Sequence, residues 1–331
     1  MAKKGEVVVI TGASAGIGRV VAEQFARRGA CIGLIARDKD RLQTAQHQVE
    51  QLGGKALALS ADVADAAAVE EAASKVERKF GPLDIWINGA MATVVAPVID
   101  TQPEEFKRAT EVTYLGFVYG TMAALRRMVP RNHGTIVQIG SGLAFRSIPL
   151  QAAYCGAKHA IAGFTDSLRS ELIHDKSKAH ITVVQLAAMN TPQFSWCRTR
   201  VGRQLQPVPP IYEPEVAARA IYWAAHHRRR EVFVGASTPA VIYGQNFFPG
   251  LADWFLGKLG YEMQQTSQAI DPNRPDNLFE PVPGDFAARG VLSSRAVNFS
   301  LQSWMSLHRG WTSLAAGALA GAGMLLWKKR S

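Results

Sequence analysis

Residues 6–18 of the chain read EVVVITGASAGIG, an apolar β-rich run followed by three closely spaced glycines. Apolar residues then recur at helical spacing through residues 20–26, so the order is strand, glycine turn, helix. The Gly-Lys-Ser/Thr ending of a triphosphate-binding loop is absent from this stretch. The pattern therefore predicts a dinucleotide site at the start of an α/β fold.

Each glycine of this loop has a separate expected role. Gly12 permits the tight turn, Gly16 lets the backbone approach a pyrophosphate, and Gly18 lets the helix pack closely on the sheet. The helix N-terminus presents backbone N–H groups to the anion. Two further loop residues are expected to contact the cofactor, namely Ser14 and Ile17.

A second group of residues points to acid–base chemistry. Ser141 follows a predicted strand, and Tyr154 and Lys158 lie four residues apart in a predicted helix over 151–175, so both project from one face. An ammonium within ~4–6 Å favours a phenolate and lowers the phenol pKa of ~10 by ~1–3 units. Tyr154 is therefore a candidate general acid, and Ser141 is a candidate hydrogen-bond partner for a substrate oxygen. The alternative for Tyr154 and Lys158 is an exposed pair on a surface helix.

With the glycine loop at residues 11–18, Ser141, Tyr154 and Lys158 in this order, the chain resembles the short-chain dehydrogenase/reductase family over about residues 5–240. The resemblance implies an α/β fold, a Rossmann-like doubly wound parallel sheet of about seven strands with helices on both faces. It also implies hydride transfer between a nicotinamide cofactor and a carbonyl or secondary alcohol. In that reaction Tyr154 would be the acid/base, while Lys158 would lower its pKa and hold the ribose.

The end of the second predicted strand indicates the type of cofactor. An NAD enzyme would carry an acidic residue near position 36, where this chain has Ala36 followed by Arg37. Guanidinium binds phosphate through a bidentate fork, so Arg37 favours the 2′-phosphate of NADP. The alternative is that Arg37 is only a solvated residue before the helix cap Asp38.

The resemblance assigns four more cofactor contacts. Asp62 and Val63 match the family position that meets the adenine, and Thr191 matches a residue that contacts the nicotinamide carboxamide. Asn88 matches the first residue of the family's Asn-Asn-Ala-Gly segment, whose second and fourth residues are replaced here by Gly89 and Met91. With these two replacements, cofactor binding at the loop is expected to depend on its backbone.

Thr113 stands where the family commonly has an asparagine that holds a water next to the catalytic lysine. A threonine hydroxyl can also hold a water but lacks the separate donor and acceptor of an amide. Thr113 is thus expected in a proton relay. The substitution leaves an alternative function open, in which the protein binds NADP(H) without turnover as a redox sensor or scaffold.

Composition and net charge limit the binding partners and the cellular compartment that can be expected. The net charge of +10 suits a phosphate-bearing cofactor, an anionic membrane or nucleic acid, and no nucleic-acid-binding motif favours the last. Three widely spaced cysteines give neither a disulfide framework nor a zinc pattern, which indicates a reducing compartment. The N-terminus shows no signal-peptide pattern, so a cytoplasmic catalytic domain is expected.

Three regions are predicted: a cofactor-binding domain over 1–240, an extension or arm over 241–309, and an apolar C-terminal helix over 310–331. Within the first, residues 193–211 are expected to form an irregular substrate lid, whose Phe194 and Trp196 indicate either an apolar substrate or simple anchoring. Residues 310–327 carry no charge and suit membrane attachment or a protein interface. A homo-oligomer is also expected.

Overall fold

The computed structural model describes residues 5–310, and its centre is a sheet of seven parallel strands. The strands of the chain are β1 (Val7–Thr11), β2 (Cys31–Ala36), β3 (Lys55–Ser60), β4 (Ile85–Asn88), β5 (Val94–Val95), β6 (Thr135–Ser141), β7 (His180–Leu186), β8 (Ala188–Met189), β9 (Arg198–Thr199), β10 (Arg203–Leu205), β11 (Ile211–Tyr212), β12 (Glu231–Val234) and β13 (Gln265–Ala269). The central sheet has the order β12-β7-β6-β4-β1-β2-β3. This confirms the expected fold class.

Helices cover both faces of the sheet. They are α1 (Gly16–Ala26), α2 (Lys39–Gln51), α3 (Ala66–Phe80), α4 (Pro103–Thr110), α5 (Gly116–Met128), α6 (Ala152–His174), α7 (Gln193–Trp196), α8 (Pro214–Ala225), α9 (Ser237–Phe247), α10 (Pro249–Leu259) and α11 (Leu301–Leu307). Short helical turns of other types lie at Val98–Asp100, Glu111–Leu115, Gly142–Ala144 and Glu262–Gln264.

The side chains of β1 alternate between two hydrophobic clusters, which is why helices must cover both faces of the sheet. Val8 and Ile10 belong to the hydrophobic cluster formed with α1, α2 and α8, whereas Val7 and Val9 belong to the cluster formed with α3, α5 and α6. Successive side chains on a strand point to opposite faces, so a fully apolar strand requires cover on both sides. The strand order reverses between β1 and β4, and ligands of such sheets bind at the carboxyl ends beside that reversal.

The lid is more regular than the sequence indicates. β9 pairs in parallel with β5, and β10 pairs antiparallel with β13 from the extension. The expectation of an irregular segment over 193–211 is wrong for these residues, because their strand partners lie far away in sequence.

The extension packs against the cofactor-binding domain. Leu278 is fully buried and Val282 is 5% exposed. Within residues 5–310, no helix is both long enough and apolar enough to cross a membrane. Apart from Gly310, the predicted C-terminal helix over 310–331 lies outside the described residues.

Candidate active site

A cavity of about 590 Å³ runs along the carboxyl ends of the strands. Most of the residues expected from sequence line it: Gly12, Ser14, Gly16, Ile17, Gly18, Arg37, Asp62, Val63, Ser141, Tyr154, Lys158 and Thr191. Asn88 and Thr113 are not among the lining residues of the described chain. The fold therefore brings the glycine loop and the Ser-Tyr-Lys group to one cleft.

The glycine loop is too tightly packed to accept side chains at two of its positions. Gly12 has φ +74°, and a Cβ added there would lie 2.8 Å from the Cα of Ala90. A Cβ on Gly18 would lie 2.3 Å from the carbonyl oxygen of Gly12. These contacts support the roles inferred for the tight turn and the close helix packing.

The altered segment after β4 is held by Thr11. Its hydroxyl accepts hydrogen bonds from the backbone N–H groups of Gly89 (3.0 Å) and Ala90 (3.3 Å). Gly89, Ala90 and Met91 all line the cavity. The loop thus keeps its backbone at the cleft, although two of the family's residues are replaced.

The three candidate catalytic side chains meet where β6 ends and α6 begins. Ser141 is the last residue of β6, and its hydroxyl contacts the Tyr154 phenol and accepts a hydrogen bond from the N–H of Leu143 at 3.1 Å. Lys158 is 3% exposed, and its Nζ donates to the carbonyl oxygen of Ile139 at 2.7 Å. The same Nζ lies 5.6 Å from the centre of the Tyr154 ring.

Burial has the largest effect on the pKa values of Tyr154 and Lys158. It raises the pKa of Tyr154 to about 12, and the Ser141 hydrogen bond offsets part of that rise. It lowers the pKa of Lys158 to about 7. The expected lowering of the phenol pKa is therefore wrong in direction, because desolvation disfavours the phenolate more than its neighbours favour it. Tyr154 is therefore protonated at neutral pH, as a free phenol would be, and burial makes it a weaker acid.

The expectation for Asn88 as a cofactor contact is not supported by its position. The side chain is fully buried, and its amide nitrogen donates to Gln138 Oε1 (2.9 Å) and Thr121 Oγ1 (3.0 Å). Its amide oxygen accepts from Trp86 Nε1 at 2.8 Å. Asn88 thus ties β4 to β6 and α5, on the face of the sheet that α5 and α6 cover.

Thr113 is also turned away from the cavity. It lies in the π-helical turn Glu111–Leu115, where its hydroxyl donates to the Ala92 carbonyl at 2.7 Å and accepts from the Ala92 N–H at 3.0 Å. These two bonds anchor the chain just beyond the loop after β4. The contacts give Thr113 a positioning role, and its part in a proton relay stays a prediction.

Arg37 is held by the extension. Its Nη1 donates to the carbonyl oxygens of Phe279 (2.6 Å) and Leu278 (3.4 Å), and its Nη2 donates to the carbonyl oxygen of Asn277. Burial lowers its pKa, and the neighbouring Arg108 lowers it further. The reading of Arg37 as a merely solvated residue is therefore wrong.

The other expected adenosine contacts are partly engaged within the protein. One carboxylate oxygen of Asp62 accepts from the Ala64 N–H at 3.0 Å, and the other pairs with Arg108. Val63 is buried, and a side chain on Gly116 would collide with it. Thr191 faces the cavity at its other end.

Sequence reasoning missed several residues at the cleft. Arg41 also lines the cavity and lies four residues after Arg37, so helical spacing could have identified it as a second cation. Phe117 lies 4.6 Å from Lys158 Nζ, and Asn277 joins the lining from the extension. Neither had a local signal, because each meets the site only through the tertiary fold.

The lid aromatics take different roles. Trp196 is 7% exposed and stacks edge-on against Phe286, with a ring distance of 4.7 Å, so it mainly anchors the lid. Phe194 packs beside Val95 and lines the cavity. The wall near Ser141 is largely apolar and includes Leu143, Ile148, Val208, Val241, Phe255 and Leu256.

Comparison with known proteins assigns the central domain to the family that the sequence motifs resemble. Residues 6–199, more than half of the chain, match the family model described as short chain dehydrogenase. The uncharacterized oxidoreductase YxnA of Bacillus subtilis is 29% identical over 330 residues, which cover 98% of this chain and 90% of that protein.

Two further relatives carry names that state a substrate. The fatty acyl-CoA reductase of Acinetobacter baylyi is 29% identical over 231 residues, which cover 69% of this chain and 76% of that protein. Human 17-beta-hydroxysteroid dehydrogenase 13 is 28% identical over 256 residues, with 77% and 83% coverage respectively.

Proposed function

The chain belongs to the short chain dehydrogenase family, and we propose that it transfers hydride between NADP(H) and a carbonyl or secondary alcohol of an apolar substrate. The observation that carries this proposal is the meeting of Ser141, Tyr154 and Lys158 in the same cavity as the glycine loop. Enzymes of this family are oxidoreductases that use nicotinamide cofactors.

The residues present fit such a cofactor. Gly12, Gly16 and Gly18 bring backbone to the cavity, and the loop keeps this shape because a Cβ at Gly12 or Gly18 would collide with neighbouring backbone. The loop lies at the N-terminus of α1, where the Gly16 N–H is bonded to the Ala287 carbonyl. Arg37 supports NADP because a guanidinium has five N–H donors, and its three hydrogen bonds within the described chain leave Nε–H and one Nη2–H for a phosphate. Bound there, the nicotinamide would supply or accept the hydride.

Three side chains of the protein would carry out the proton transfer: Tyr154, Ser141 and Lys158. The Tyr154 phenol, protonated at neutral pH, would donate to the substrate oxygen during reduction and recover a proton afterwards. The Ser141 hydroxyl, which contacts the phenol, would polarise the same oxygen. Lys158 carries a positive charge below its pKa of about 7 and would stabilise negative charge that develops on the phenol.

The substrate class follows from the lining of the cavity. The wall beside Ser141 is formed mostly by aliphatic and aromatic side chains from the lid and from α9 and α10. Burial of apolar surface favours a lipid-like substrate at ~25 cal/mol per Å². The names of two relatives, a fatty acyl-CoA reductase and a hydroxysteroid dehydrogenase, support the same class.

A cytoplasmic catalytic domain, membrane attachment through residues 310–327 and homo-oligomer formation remain proposals. The first two are tested together by fractionating cells that express the full chain or a chain that ends at Leu307. Recovery of both chains in the soluble fraction would contradict attachment.

The proposed reaction is tested by following NADPH absorbance with purified protein and a panel of steroid, retinoid, fatty and quinone carbonyls. Turnover of an apolar carbonyl, faster with NADPH than with NADH, is the expected result. Tight NADPH binding without turnover of any member would instead favour a redox sensor or scaffold.

A further inference from the structure

The segment 274–290 lies within the extension over 241–309 and runs along the cofactor side of the cavity. The name arm is used below for residues 274–290 alone. Asn277 and Pro281 line the same cavity as Arg37 and Asp62. At its far end, the N–H of Gly290 donates to the carbonyl oxygen of Asn190 at 3.1 Å, next to Thr191. The arm therefore follows the cleft from the expected adenosine end towards the expected nicotinamide end.

The first anchor of the arm is at Arg37. Three consecutive arm carbonyls, those of residues 277–279, accept hydrogen bonds from its guanidinium. Leu278 between them is fully buried in the core, and its N–H is bound by Asp276 at 3.0 Å. The arm thus fixes the guanidinium that we assign to the 2′-phosphate.

The second anchor is an ion pair at the first helix. Asp285 accepts from Arg19 Nη1 at 2.5 Å, and Arg19 is only 1% exposed. Arg19 follows Gly18 directly, and its Nε also donates to Gln48 at 2.9 Å. A buried arginine beside the glycine loop is thereby paired by a carboxylate that only the arm supplies.

The third anchor is formed by the two residues after Asp285. Phe286 packs against Trp196 of the lid, and the Ala287 carbonyl accepts from the N–H of Gly16 at 3.1 Å. Ala287 has φ +48°, in the left-handed region that residues other than glycine rarely adopt. The arm is thus docked directly on the loop expected to bind the pyrophosphate.

We propose that the arm is a latch that closes over the bound dinucleotide and limits its release. This inference rests on the proposed function. Asn277 and Pro281 line the cavity beside Arg37, and the same segment is bonded to Arg19 and Gly16, so a dinucleotide bound in the cavity would leave freely only when the arm undocks. Asp285 is the charged attachment of the arm to α1, because its contact with Arg19 is the one ion pair between the arm and α1 within the described chain.

The test measures the rate at which NADPH dissociates from the protein. The fluorescence of NADPH is followed by stopped flow after the complex is mixed with excess NADP⁺. Asp285→Asn keeps the size of the side chain and removes the charge from the pair with Arg19. Loss of a charge-assisted hydrogen bond corresponds to roughly tenfold or more, so we expect release to accelerate by that factor. Asp271→Asn is the matched control, because Asp271 is exposed and its carboxylate accepts a hydrogen bond from the nearby Asn273 N–H, away from the arm's anchors.

Phe286→Ala provides a second way to open the latch without creating an unpaired buried charge, and it should also accelerate release. Unchanged release rates in both folded variants would overturn the latch while leaving the proposed function intact. Failure of NADPH to bind the unaltered protein would overturn both.

Discussion

The two walls of the cleft are built in different ways. The wall with Ser141 and Tyr154 consists of β6 and α6, and β6 is hydrogen-bonded to β4 on one side and to β7 along seven residue pairs on the other. The opposite wall includes the arm, which has no helix or regular strand between β13 and α11. It is held by hydrogen bonds from arginines to backbone carbonyls and by ion pairs of Asp285 with Arg19, Asp276 with Arg198 and Arg289 with Glu215. Backbone hydrogen bonds to Trp196, Gly16 and Asn190 add to these contacts.

This difference separates two requirements of a cofactor-dependent enzyme. Proton transfer needs groups held in one geometry, which a central strand and a long helix provide. Cofactor exchange needs a segment that can be released while the sheet stays intact, because opening a whole sheet would cost most of the stability of the fold. The following predictions test this division, beginning with the largest effect.

On the rigid wall, Tyr154→Phe should reduce turnover by ~10²–10⁴-fold, because general acid catalysis is worth about that much. NADPH affinity should change little, since the lost hydroxyl serves the proton. Steady-state rates and a fluorescence titration would measure the two quantities. A Phe variant with most of its activity would show that another group supplies the proton.

On the arm side, Arg37→Ala should weaken NADPH binding by ~10–100-fold, in keeping with ~1.5–3 kcal/mol for hydrogen bonds to a charged group. NADH lacks the 2′-phosphate, so its affinity should fall less, by only the part that comes from losing the arm's hydrogen bonds to Arg37. Titrations of both cofactors with the same variant provide the internal control. Equal weakening of the two would contradict the NADP assignment.

The buried lysine of the rigid wall should give a pH dependence. Lys158 loses its proton as the pH rises through about 7, so kcat/KM for carbonyl reduction should fall above that pH, by up to about tenfold per pH unit. Because the folded form binds fewer protons than the unfolded chain between about pH 7 and 10.5, the free energy of unfolding should rise across the same window. Lys158→Met should abolish that rise. A flat pH–rate profile to pH 9 would mean that the charge on Lys158 is not needed.

The smallest effect on the cofactor is expected at Asn88. Asn88→Ala should leave NADPH affinity within about twofold, because the amide serves the sheet and α5 and does not face the cleft. It should nevertheless lower the melting temperature by several degrees, since unsatisfied buried groups cost ~1–3 kcal/mol each. A large loss of NADPH affinity without a loss of stability would restore the original cofactor assignment.

Most of the rigid wall could be predicted from sequence. A strand is expected before Ser141, and β6 runs to that residue, while α6 covers Ala152–His174 within the predicted 151–175. Tyr154 and Lys158 meet because helical spacing alone places them together. The arm could not be predicted in this way, because it offers only turn-forming residues and its partner at Arg37 lies about 241 residues away.

The sequence by itself determined the order of strands and helices, the glycine loop and the Ser-Tyr-Lys group, since periodicity and short spacings act between near neighbours. Only the tertiary structure decided that Asn88 and Thr113 bond within the protein and do not line the described cavity, and that the arm binds Arg37. It also decided that the phenol of Tyr154 has a raised pKa. The physical reason is that orientation, burial and desolvation depend on groups that only the packed fold brings together.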